Sequence, residues 1–255
     1  MLKDLLTPIV VWYSETFSAF VEMLYNFFMS LNFDMLSLCP IDISWIFVIA
    51  TLIVCFYYVI KKRYPIVTDD MNIDYALYAA ILLLGIFYLT TYYAKIRISS
   101  EFFITFSFLT SVLFARYFSP ILSFFFGILQ YLMIYLLNPY IFIPQIAITY
   151  GLGCMIYGIF HYNREVTFLS CIYSKLIVNT VGNLLITSTA YLFAYKQLSF
   201  AYLFALYLGK TIFPFVFNIL LMYWLLASVD KMLHYVKFAG REEDYFEFSY
   251  EDDEE

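Results

Sequence analysis

The chain has 255 residues, of which 64% are hydrophobic, 23% aromatic and only 13% charged, with a mean hydropathy of +0.80. A soluble domain is about half apolar and about a quarter charged, so no water-soluble core could hide this much Phe, Tyr, Leu and Ile. The net charge of −6 is concentrated at one end: nine of the twenty acids follow Gly240, the body before them is slightly basic, and a nucleic-acid partner finds no support.

The first element, residues 5–31, carries Glu15, Glu22 and Asn26 at intervals of seven and four, which puts them on one helical face. An amphipathic interfacial helix fits this stripe, and a span that pairs its two acids with neighbours is the alternative. The acids Asp4, Glu15 and Glu22 do not suit a cleaved signal peptide. An apolar run at 43–60 follows and reads as a transmembrane span, closed by Lys61, Lys62 and Arg63. These basic residues mark a cytoplasmic loop.

Six further spans are expected, near 73–94, 101–118, 120–137, 142–160, 167–195 and 200–229, the last with a Pro inside it. Alternation from the first loop then puts Arg116, Arg164, Lys231, Lys237 and Arg241 inside, and Lys95, Arg97 and Lys196 outside. The expected organisation is therefore an N-terminal part (1–72), a six-span membrane domain (73–230) and a cytoplasmic acidic tail (231–255), an all-α polytopic protein of the cell membrane with its C-terminus inside.

Small residues are few, so their positions matter. Ala76 and Ala80 make a small-xxx-small pair on the first of the six spans, and Gly151 and Gly158 lie seven apart on nearly one face of the fourth. In lipid, helices pack through such residues because their backbones can then approach. The four cysteines, Cys39, Cys55, Cys154 and Cys171, have no metal-ligand spacing, and His161 and His234 stand alone in expected loops. "GKT" at 209–211 lacks the earlier glycine and the strand of a P-loop. With no paired catalytic motif and no metal or cofactor signature, an enzyme is not expected.

Two cations stand deep in the apolar segments. Lys175 and Lys210 lie nine to ten residues inside their spans, about 14 Å at the helical rise, near mid-bilayer. A lysine there is costly unless it faces a cavity or a partner, although snorkelling to a headgroup is the plainer reading. Beside the amides of Asn179 and Asn183, two cations suit a small molecule that carries carboxylate. Among the many aromatics, Tyr140 and Tyr157 are the candidates to stack on a flat ring, with Tyr135, Phe142 and Tyr150 as further possibilities. The polar run "KIRISSE" at 95–101 is either a lid on the outer side or a solvated turn.

The order of these features resembles the substrate-binding S component of energy-coupling factor vitamin transporters, in its folate-type branch. The residues that carry the likeness are Ala76 and Ala80, the aromatic-Pro stretch leading into Gly153-Cys-Met-Ile-Tyr157-Gly158, and the asparagines Asn179 and Asn183. The pattern departs from that branch on the last span, where Lys210 precedes Pro214 by four positions instead of six and no Arg stands near Tyr207. The resemblance implies a six-helix bundle that captures a vitamin such as folate, docks through Ala76 and Ala80 onto a transmembrane coupling subunit, and is driven by two ATPase subunits. A non-transport membrane scaffold, or a sensory or morphogenetic polytopic protein, is the other class that the composition allows.

Overall fold

The structure, a computed structural model, describes residues 2–30, 42–62, 64, 73–93, 95–97, 103–137, 142–194 and 199–235. Helix α1 (Leu2–Ser30) and helix α2 (Ile43–Lys61) precede α3 (Ile73–Tyr92). After it, strands β1 (Lys95–Arg97) and β2 (Phe103–Thr105) pair antiparallel, with Lys95 opposite Thr105 and Arg97 opposite Phe103. Then come α4 (Phe108–Tyr117), α5 (Pro120–Leu137) and α6 (Pro144–His161). Helix α7 (Phe168–Ile177) runs through a π-helical segment (Val178–Thr187) into α8 (Ser188–Ala194). Helices α9 (Phe200–Ile212) and α10 (Phe215–Tyr235) end the described chain.

Among the described residues the architecture is all-α apart from this small strand pair. Two expected spans differ in form. The segment 101–118 is not one helix: its first residues pair as β2, and α4 keeps only ten residues, about 15 Å of rise against a hydrocarbon layer of about 30 Å. The alternating Phe-Ile-Thr of β2 suits a pleated edge better than a helix. The segment 200–229 is broken into α9 and α10, bent by 44°. Pro214 sits in the two-residue break, where its missing N–H and its ring exclude a continuous helix. Among the described residues, Ile43–Lys61, Pro120–Leu137 and Phe168–Ala194 are each long and apolar enough to cross a bilayer, and the bent pair is long and apolar enough when its two helices are taken together. The chain is a multi-pass membrane protein.

The glycines hold the centre together. A Cβ on Gly151 would sit 2.9 Å from the Phe124 ring, and one on Gly158 would sit 2.8 Å from Pro120 Cα, so α5 and α6 touch where these residues leave room. Gly127 faces the Tyr150 backbone in the same seam.

The N-terminal helices are fastened to this centre. Helix α2 packs Val48, Cys55 and Val59 against Leu152, Met155, Ile156 and Ile159 of α6 and Ile186 of the π segment. Both its ends are tied: the Asp42 carboxylate caps the helix at Ser44 N and accepts from Gln145 Nε2 at 2.6 Å. At the other end the Tyr64 hydroxyl donates to the Ile159 carbonyl at 3.2 Å and accepts from Arg164 Nη2 at 2.8 Å. Helices α2 and α6 therefore run parallel. Burial pushes the Tyr64 phenol above its ordinary range, while the Arg164 guanidinium beside it works in the opposite direction.

Helix α1 lies antiparallel along α9, with Phe17 and Val21 buried against Ala201, Ala205 and Leu206. Glu15, Glu22 and Asn26 are all exposed, so the polar stripe read from the sequence is the face turned away from the bundle. Cys39 lies outside the described residues.

Candidate functional site

One cavity of about 410 Å³ opens among α3, α4, α5, α6, the π segment, α9 and α10. That volume is in the range of small-molecule sites, about 300–1,000 Å³. Its wall includes Lys175, Asn179, Asn183, Lys210 and Tyr157, five of the residues singled out in the sequence, and no aspartate or glutamate among the described residues.

Lys175 is only 6% exposed, and its ammonium stands 3.9 Å above the centre of the Phe108 ring. The ring face is electron-rich and attracts a cation, but it is a weaker partner than a carboxylate. Lys210 is half-buried, with its ammonium 5.4 Å from the centre of the Tyr207 ring.

The asparagines come from the π segment. Asn183 Nδ2 donates to Asn179 Oδ1 at 3.1 Å, and the Thr187 hydroxyl donates to the Gly182 carbonyl at 2.8 Å, five residues back. The wider winding puts Asn179, Gly182, Asn183 and Thr187 together on the cavity wall. Such departures from α geometry are frequent at functional sites. The bond between the two amides uses one donor and one acceptor, and leaves the Asn179 NH2 and the Asn183 carbonyl oxygen for other partners.

Two buried polar atoms in this wall have no hydrogen-bond partner, the Tyr157 hydroxyl and Asn218 Oδ1. A buried polar atom without a partner costs about 1–3 kcal/mol, so both atoms are points where a water or a ligand group could bond. Behind the wall residue Ser111, the buried Gln130 has partners at both ends of its amide: its carbonyl oxygen accepts from Ser111 Oγ at 2.8 Å, and its NH2 donates to Thr110 Oγ1 at 3.1 Å. Cys154 Sγ lies 3.7 Å from the same carbonyl oxygen.

The other expectations are placed as follows. Tyr150 also lines the cavity, whereas Tyr135 and Phe142 stack edge-on against each other at 5.2 Å and are not in its wall. Tyr140 lies outside the described residues. Ala80 is half-buried against the cluster of Phe114, Phe126 and Cys154, and the side chain of Ala76 lies outside the described residues. "KIRISSE" contributes β1, residues 98–102 lie outside the described residues, and the continuation through Thr105, Ser107 and Phe108 reaches the cavity.

His161 is a correction. Instead of standing solvated in a loop, it ends α6 fully buried, with Nε2 3.0 Å from Ser174 Oγ. Position 161 is drawn in because Arg116 Nη1 donates to its carbonyl at 2.6 Å. The side chain of His234 lies outside the described residues.

Sequence reasoning also missed Phe108, Ser111, Tyr191, Tyr207 and Asn218 in the cavity wall. A signal for part of this set was present: Tyr207, Lys210, Pro214 and Asn218 recur at intervals of three, four and four, one face of a helix.

The arrangement of helices around this cavity has a counterpart among solved structures. Among solved structures, the crystal structure of FolT bound with folic acid is similar to this chain, with a TM-score of 0.54 and 21% identity, over 60% of this chain and 92% of FolT. No protein family and no curated protein matches the sequence. At that identity the likeness carries the fold, and the ligand has to be argued from the residues.

Proposed function

We propose that the chain is the substrate-capture subunit of a vitamin importer and that its cavity takes an anionic heteroaromatic molecule such as folate. The observation that carries this reading is the meeting of two lysines and two carboxamides on one cavity without an acidic residue in its described wall. A carboxylate entering there would gain charge-assisted bonds of about 1.5–3 kcal/mol each. Tyr150, Tyr157, Tyr191 and Tyr207 supply aromatic surface for a flat ring, and FolT, the similar solved structure, holds folic acid. The role is one of binding, and no catalytic step is ascribed to the chain.

In this reading uptake is driven by a transmembrane coupling subunit and two ATPase subunits, and α3, which carries Ala76 and the half-buried Ala80 and exposes Leu77, Tyr78 and Ile81, is where the coupling subunit docks. Lys61, Arg116, Arg164 and Lys231 mark the cytoplasmic end, and the C-terminus is inside.

The first test is thermal unfolding of the purified protein in detergent, with and without folic acid and a panel of other vitamins. A rise in Tm at saturating folic acid is expected. No shift with any vitamin would favour the scaffold or sensory class. For coupling, Ala76→Trp should abolish vitamin uptake in cells and leave binding by the purified protein intact; uptake equal to wild type would remove the α3 assignment.

A further inference from the structure

Helix α1 is not a passive addition to the bundle, because of where its aromatic side chains rest. Ala201, Ala205 and Gly209 recur every fourth residue and make a small-residue face on α9, and Phe17 and Val21 fill it. A Cβ on Gly209 would stand 2.9 Å from Phe17 Cε2 and 3.0 Å from Val21 Cγ2, so α1 is seated directly on the residue before Lys210.

Farther along, the break between α9 and α10 is gripped as well. Phe213, the residue before Pro214, is met edge-on by Phe17 at 5.4 Å and at a tilt by Phe20 at 5.5 Å. A helix end without a continuous hydrogen-bond ladder is a natural hinge, and here the hinge residue is clasped by two rings of another helix. On the other side of the same stretch, Tyr207, Lys210, Pro214 and Asn218 face the cavity. Tyr207 is in turn stacked on Tyr191 at 6.0 Å and 14°.

We propose that α1 is an intramolecular clasp on the α9–α10 break and that Phe17 and Phe20 are positioning residues, holding Tyr207 and Lys210 in the cavity wall. The inference takes the cavity to be the ligand site, as in the function proposed above, but the clasp can be read without any ligand. Cys154 lines the cavity, whereas Cys55 packs against α6 and Cys171 is buried in the cluster with Ile219 and Met222. If α9 swings when the clasp is lost, only the first thiol gains access to solvent.

The experiment compares full-length wild type with the Phe17→Ala/Phe20→Ala variant. It measures the rate at which anionic 2-sulfonatoethyl methanethiosulfonate modifies each cysteine, read by mass spectrometry, together with folic-acid binding. Two ring contacts are lost, so Cys154 should react about fivefold to tenfold faster and folic-acid affinity should fall by a similar factor, with Cys55 and Cys171 unchanged. Should the double variant not fold, Gly209→Ala pushes the same seat apart with one methyl and should give the same pattern at a smaller size.

An unchanged Cys154 rate overturns the clasp whatever folic acid does, and so does a rise at Cys55, Cys154 and Cys171 alike, which is general loosening. A wild type that does bind folic acid, but no more tightly than the variant, also overturns the positioning role. A selective rise at Cys154 in a protein that never binds folic acid supports the clasp and removes the folate reading instead.

Discussion

Arg116 and Lys175 are almost equally buried, at 8% and 6% exposed, yet they are held in opposite ways. At one end of the bundle Arg116 Nη2 meets Asp230 Oδ2 at 3.0 Å, its Nη1 donates to the carbonyls of His161 and Arg164, and Tyr117 adds a hydroxyl to Asp230 at 2.9 Å. This cation ties α4, α6 and α10 together with the loop after α6. Lys175 rests on one aromatic ring and faces a cavity. A desolvated charge is tolerable when partners replace its water. Arg116 has those partners within the fold; for Lys175, in the function proposed above, a ligand would supply them.

The contrast can be broken most severely at the basal end. Arg116→Met should destabilise the protein by about 3 kcal/mol, the low end for a buried pair because Asp230 is 30% exposed. Thermal unfolding in detergent would measure it, and a Tm within a degree of wild type would mean that the cluster holds nothing together.

In the cavity the sign should reverse. Lys175→Met removes a costly charge, so the ligand-free protein should gain about 1 kcal/mol of stability, while folic-acid affinity should fall by about 1–3 kcal/mol. Loss of stability in the ligand-free state would make Lys175 a structural cation like Arg116. The smallest effect is expected at Lys210, half-buried and farther from its ring. Lys210→Met should weaken folic acid by about 1 kcal/mol, with little change in stability, and calorimetry would separate it from Lys175.

The two sites were also unequally legible. Lys175 and Lys210 stood out because charges inside apolar runs are rare, and Asn179 and Asn183 because two asparagines four apart match the pattern of the family that the sequence resembles. Arg116 read only as a loop marker, and Asp230, the last residue of the expected membrane domain, was not singled out. Their pairing joins positions 114 residues apart, which no local pattern encodes. His161 was misplaced for the same reason: its surroundings come from Arg116 and Ser174, both on other helices.

Composition alone determined that the chain lives in a bilayer as packed helices, since no aqueous core could bury so much apolar surface. Spacing determined where helices could touch, because glycine at 151 and 158 leaves room for a neighbouring backbone. What only the tertiary structure decided was which buried polar groups would be satisfied within the protein. That outcome depends on contacts between distant helices: the π segment that gathers the asparagines, the strand pair that brings Phe108 under Lys175, and the seat of α1 on α9. A side chain carries its charge in its own atoms, but its partners are supplied by the fold.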